Sequence, residues 1–142
     1  MVLRATFSTA ERCCMKSVTR SWAQKAERDF KVACGLMRRW EAGFGDAACF
    51  HCQQSVEKYL KARLIEIGVT FPRTHDLSTL LGLLLSHDPL WQCFDVACQT
   101  LTKYAVDVRY PGDDATKREA AEAIQFATAI RREARHALGI KS

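Results

Sequence analysis

Apolar residues recur along this chain at three- and four-residue intervals, and no stretch shows the alternation of a half-buried strand. The clearest stretch spans residues 46–68. On a helix turning by about 100° per residue, Cys49, Cys52, Val56, Leu60, Leu64 and Ile67 share one apolar arc. Gln53 and Glu57 fall inside the same arc, at about 40° and 80° from Cys49. A carboxylate on a buried stripe is costly unless it is paired and hydrogen-bonded. This helix therefore packs against something polar or carries a site. His51, at about 200°, lies on the far side, exposed or at a dimer seam.

The flanking elements follow from caps and breaks. A first helix begins at Ser21, where Ser21-Trp22-Ala23-Gln24 has the form of a capping box, and stops at Gly43. Its stripe is Trp22, Ala26, Ala33, Leu36, Met37 and Trp40, and Asp29 falls in the middle of it. Asp46 is the carboxylate cap of the second helix. Gly68 through Pro72 and Arg73 break the chain, and Thr74 caps a short third helix with Leu77, Leu80, Leu81, Leu84 and Leu85 on one face. Asp88-Pro89 is the cap and first-turn proline of a fourth helix. Its stripe is Leu90, Phe94, Ala97, Leu101, Tyr104, Ala105 and Val108, and Pro111 ends it. Thr116-Lys117-Arg118-Glu119 is a second capping box. It opens a fifth helix with Ala120, Ile124, Ala127, Ile130, Ala134 and Leu138 inward. The predicted fold class is all-α: an antiparallel up-and-down bundle of about five helices, one short, over residues 21–138. Residues 1–20 have no helical stripe and read as a flexible N-terminal extension, or as a start assigned too early with Met15 the true start.

Composition changes this picture only a little. A chain of 142 residues makes one domain with a substantial core. A net charge of +5 permits an anionic partner, nucleotide or RNA, without requiring one. Seven cysteines, an odd number without framework spacing, suit the reduced thiols of a cytoplasm. The longest apolar run, residues 80–85, is too short to span a bilayer, so no membrane association is expected. Cys49 and Cys52 have a CxxC spacing but project onto the apolar arc, and Cys93 with Cys98 fits zinc poorly. They read as small buried hydrophobes, with no metal or cofactor. Lys58, Lys61 and Gln54 line the exposed side of the second helix, as a solvated face or a phosphate-contacting strip.

Three segments together resemble a known family. They are residues 49–62 with Gly68, then Pro72-Arg73-Thr74-His75-Asp76-Leu77, then Arg109-Tyr110-Pro111. With Trp22, Ala26 and Asp29 ahead of them, they resemble the HEPN (higher eukaryotes and prokaryotes nucleotide-binding) domain over about residues 20–138. That resemblance implies a helical bundle, commonly a homodimer. It also implies a nucleotide-binding or interaction module paired with a minimal nucleotidyltransferase, in the manner of a toxin–antitoxin pair. Many HEPN domains are metal-independent ribonucleases with Arg, four to six residues, then His. Here no histidine follows Arg109 within that reach. Arg131 and His136 match the spacing, but one such match is expected by chance in this composition. The enzymatic question therefore stays open between two readings. One is a binding module; the other is an RNA-cleaving toxin whose histidine is His75 or His51. Candidate ligand groups are Asp29, Gln53, Glu57, Lys61, His75, Arg109 and Tyr110. Arg109 is also the expected counter-charge to Glu57 and Asp29, or a phosphate-holding fork. His75 stands at a predicted helix N-terminus, where free N–H groups favour anions, or makes a local loop hydrogen bond.

Overall fold

A computed structural model of the chain describes residues 14–105 and 110–141. It contains α1 (Ser17–Arg38), α2 (Phe44–Glu66), α3 (Leu77–Leu85), a 3-10 segment (Pro89–Phe94), α4 (Asp95–Thr102) and α5 (Lys117–Ala137). The fold is all-α, as the periodicity predicts. α2 runs through the middle, packed against α1, α3, α4 and α5. α1 and α2 are antiparallel: Lys16 meets Glu66 at one end, and Asp29 meets His51 further along. Residues 67–76 run back beside α2, so His75 reaches Gln53 and Glu57 and α3 descends in the same direction as α2. α4 then returns antiparallel to α3, with Thr102 Oγ1 accepting the Leu77 N–H at 3.0 Å.

The central position of α2 is why its apolar arc understates its burial. Cys49, Cys52, Val56, Leu60 and Leu64 are fully buried, as expected. So are Ala48, Tyr59 and Ala62 on other faces. Lys61, assigned to an exposed strip by the wheel, is 8% exposed, and Lys58 and Gln54 are half-buried. A single-helix wheel assumes one solvent-facing side, and α2 barely has one. Cys49 and Cys52 are core residues, and burial pushes the Cys52 thiol far up. The six described cysteines are free, and among the described residues no cluster suits a metal ion. No described helix is long and apolar enough to cross a membrane.

Several starts differ from expectation, and tertiary contacts account for them. α1 begins at Ser17, four residues before Ser21. Its cap is not a local side chain: the Glu66 carboxylate of α2 accepts the Lys16 N–H at 3.0 Å, and Lys16 Nζ donates to the Ile65 carbonyl. α1 ends at Arg38, short of Gly43. α2 starts at Phe44 behind Gly43, whose φ of 89° needs glycine's freedom. Asp46 does not cap α2; its Oδ1 accepts the Ala115 N–H at 2.7 Å across the bundle. Asp76, not Thr74, caps α3 by accepting the Ser78 N–H. Asp88 turns to Arg63 at 2.9 Å instead of capping, and Pro89–Phe94 winds as a 3-10 turn. Three residues per turn shifts the register, so Trp91 is buried while Leu90 is 85% exposed. The Thr116–Glu119 capping box on α5 forms as predicted. Val108 lies outside the described residues.

Candidate functional site

The polar residues selected from the sequence sit in two networks on different sides of α2. The first centres on Glu57, whose side chain is 4% exposed. Lys61, one turn further on the same helix, donates to Oε1 at 2.8 Å, and Gln53, one turn before, donates to Oε2 at 2.9 Å. The Gln53 amide also donates to the His75 carbonyl at 3.1 Å, and Gln54 donates to Gln53 Oε1. His75 brings Nδ1 to 3.0 Å from Glu57 Oε2. A carboxylate only accepts, so Nδ1 carries the hydrogen and Nε2 is the ring nitrogen left for a ligand. The His75 side chain is 61% exposed, so this buried network opens to solvent there. The Lys61 ammonium lies over the rings of Trp22 and Phe71, 5.5 and 5.8 Å from their centres.

Burial alone would push the Glu57 carboxyl up. Hydrogen bonds from Lys61, Gln53 and His75 outweigh it and hold the group below the usual carboxylate range. The sign of the pH dependence follows. A folded-state pKa below the ordinary 4.5 gives stability that is full above about that pH and is lost as pH falls through the folded value. The stability gap between the wild-type protein and Glu57→Gln is therefore expected to close progressively below about pH 4.5. Urea melts between pH 7 and 3 read it directly, and a gap that stays constant down to pH 3 contradicts the assignment.

The second network centres on Asp29 of α1. His51 Nδ1 stands 2.8 Å from Oδ1, and Lys58 Nζ pairs with Oδ2. His51 is thus neither free nor fully exposed; it is half-buried and hydrogen-bonded to Asp29. No hydrogen bond among the described residues joins this network to that of Glu57, so Asp29 and Glu57 do not converge as the sequence suggested. Each carboxylate has a counter-charge among the described residues. Lys61 serves Glu57 and Lys58 serves Asp29, both from α2 itself. Arg109 lies outside the described residues. Tyr110 is 80% exposed and is not part of either network.

A third network was missed from the sequence. Glu27 on α1 takes a two-pronged contact from Arg131 of α5, with Nη2 at 2.8 Å from Oε1 and Nε at 2.8 Å from Oε2. Arg135 and the Tyr59 hydroxyl also donate to Oε2. Burial would raise the Glu27 carboxyl, but hydrogen bonds from Arg131 and Tyr59 keep it low. The Tyr59 hydroxyl is pushed up to about 12, first by burial and then by donating to Glu27. The available signal was Arg131 and Arg135, one turn apart and each beside an inward residue of the last helix, Ile130 or Ala134. The Arg131–His136 spacing makes no site: Arg131 is committed to Glu27 and stacks on Phe30, whereas His136 lines a different cleft beside Trp91.

A helical bundle with its central helix wrapped in carboxylate networks, two of them holding an imidazole, defines a small all-α module with polar groups delivered to its surface. The HEPN domain model matches residues 19–137, and the chain belongs to the HEPN family. Its fold is similar to that of TT1696 from Thermus thermophilus, with 25% identity, a TM-score of 0.75, and 86% of this chain and 99% of that one covered. ST0689, an archaeal HEPN homologue, matches at 26% identity and a TM-score of 0.67, covering 84% and 97%. A HEPN domain protein of Thermotoga maritima matches in fold at 24% identity and a TM-score of 0.67, covering 84% and 98%. None of the curated proteins matches the sequence.

Proposed function

We propose that this chain is a homodimeric nucleotide- or RNA-binding module that acts with a minimal nucleotidyltransferase in a toxin–antitoxin-like pair. Family membership supports the class. The observation that carries the binding role is the open end of the Glu57 network. Gln53, Glu57 and Lys61 fix one another inside the bundle, and Glu57 fixes His75, which faces solvent with a free ring nitrogen. A hydrogen-bonding group held by a buried scaffold is organised before its ligand arrives. Co-expression with a small nucleotidyltransferase encoded beside the gene tests the pairing: the two should co-purify, and the chain alone should scatter light as a dimer. A monomer at micromolar concentration, or no association with the neighbour, removes those parts of the reading.

One geometric fact favours a second reading, a metal-independent ribonuclease. An imidazole oriented by a carboxylate is what general acid–base catalysis requires, and both His75 and His51 meet that description. The departure at Arg109 weighs against it. The expected result is therefore no cleavage of a generic RNA by the isolated protein in EDTA. Cleavage that persists in EDTA and disappears in His75→Ala or His51→Ala would establish the second reading instead.

A further inference from the structure

Lys25, Arg28, Val32, Gly35, Leu36 and Arg39 recur at three- and four-residue spacing, so they lie in one stripe along α1 and its C-cap. The middle of the stripe is apolar, and Val32 is 44% exposed. Together with Phe44 from the first turn of α2, Val32, Gly35 and Leu36 line an open groove of about 330 Å³, with Arg38 and Arg39 at its end. Among the described residues no acid pairs with Lys25, Arg28, Arg38 or Arg39. The two acids of α1 are committed elsewhere, Glu27 to Arg131 and Arg135, and Asp29 to His51 and Lys58. Glu41, in the turn that follows, is exposed and is not among the residues lining the groove.

Gly35 sits in the interior of α1, where glycine is a poor helix former, and a Cβ there would meet nothing within 4 Å. Packing among the described residues does not call for glycine at this point. Its missing side chain instead deepens the groove and lets another chain come close. An apolar floor with a cationic rim fits an occupant that carries an apolar anchor with carboxylates beside it. A second copy of this chain does not fit. Laid antiparallel across Val32 it would set Lys25 against Arg39, and laid parallel it would set each cation against its own copy. An RNA strand would answer the arginines with phosphate but offers no aliphatic group to Val32 and Leu36. The spacing of the stripe, three and four residues apart, is the spacing read by a helix laid in a groove.

We propose that this stripe docks an acidic amphipathic helix of a partner protein. An apolar side chain of that helix seats over Gly35, between Val32, Leu36 and Phe44, and its carboxylates pair with Arg28 and Arg39. The proposal uses neither His75 nor the Glu57 network, and it holds whether or not the partner is a nucleotidyltransferase. Selection of a displayed library of randomised helical peptides on the full chain tests it. Enriched peptides should place Leu, Ile or Phe three or four residues apart with Asp or Glu beside them, and their binding should weaken as salt is added. Arg28→Glu/Arg39→Glu changes exposed side chains, should keep the helical circular dichroism, and should bind the selected peptides at least about tenfold more weakly. Gly35→Gln puts a side chain into the groove. It should raise the urea midpoint, because glutamine is the better helix former, and still lose at least about tenfold in binding. That opposite movement of stability and affinity separates a docking surface from a structural role. His75→Ala should leave peptide binding unchanged. No enrichment, or enrichment of basic or uncharged peptides, overturns the proposal, as does equal binding by both α1 variants. A short oligoribonucleotide that displaces the peptide at lower concentration than the free peptide does would assign the stripe to nucleic acid and overturn it. Conversion of a dimer to a monomer by Gly35→Gln, read by light scattering, would assign it to a second copy and overturn it too.

Discussion

Replacing Glu57 by alanine is expected to cost the fold about 3–5 kcal/mol, the usual loss when one partner of a buried ion pair is removed. The Lys61 side chain is only 10% exposed, and its ammonium would keep the Trp22 and Phe71 rings but lose its one charged partner. Gln53 would lose an acceptor in a fully buried position as well. The sign can reverse in the double variant. Glu57→Leu with Lys61→Met removes both charges at similar volume and should recover most of the loss, because desolvating the pair consumes much of its attraction. Chemical denaturation of the two single variants and the double one forms a cycle whose coupling term isolates the pair. If Glu57→Ala melts within about 1 kcal/mol of the wild-type protein, the network is not closed in the way described.

The second large effect comes from a residue that looks inert. Gly45 sits in the first turn of α2, where a Cβ would lie 2.0 Å from the Ala115 carbonyl oxygen and 3.2 Å from the Trp40 ring. The obstacle is backbone, so it cannot rotate away. The adjacent Asp46 ties α2 to the Ala115 N–H, so α2 and the segment leading into α5 are held at that separation. Alanine is the better helix former by about 1 kcal/mol, and on propensity alone Gly45→Ala would stabilise the protein. Overpacking typically costs about 1–3 kcal/mol and here must also stretch the Asp46 contact. A net loss of about 2 kcal/mol is expected, visible as a lowered denaturation midpoint. A midpoint that rises instead would show that α2 and residues 113–116 are free to separate. Gly82, with open space around its Cβ position, is the control in which the same substitution should stabilise.

The periodicity of apolar residues determined that the described residues are helical, how many helices they form, and one stripe of the core on each of α2 and α5. Those are local consequences of a 3.6-residue turn, and they survive any arrangement of neighbours. The conflict of Gln53 and Glu57 with an apolar stripe was equally legible, because burying a carboxylate carries the same penalty in any fold. The partners were not legible. Lys61 answers Glu57 because α2 is enclosed on nearly every side, and the wheel had given Lys61 to solvent. The start of α1 rests on Glu66, forty-nine positions beyond Ser17, where local cap rules point to Ser21. Asp46 and Asp88 have the sequence of helix caps, yet they serve Ala115 and Arg63. A carboxylate takes whichever donor the fold brings nearest, and that choice is settled by how helices pack. The Glu27 network exists only because α5 returns beside α1, bringing Arg131 and Arg135 across more than a hundred positions of chain.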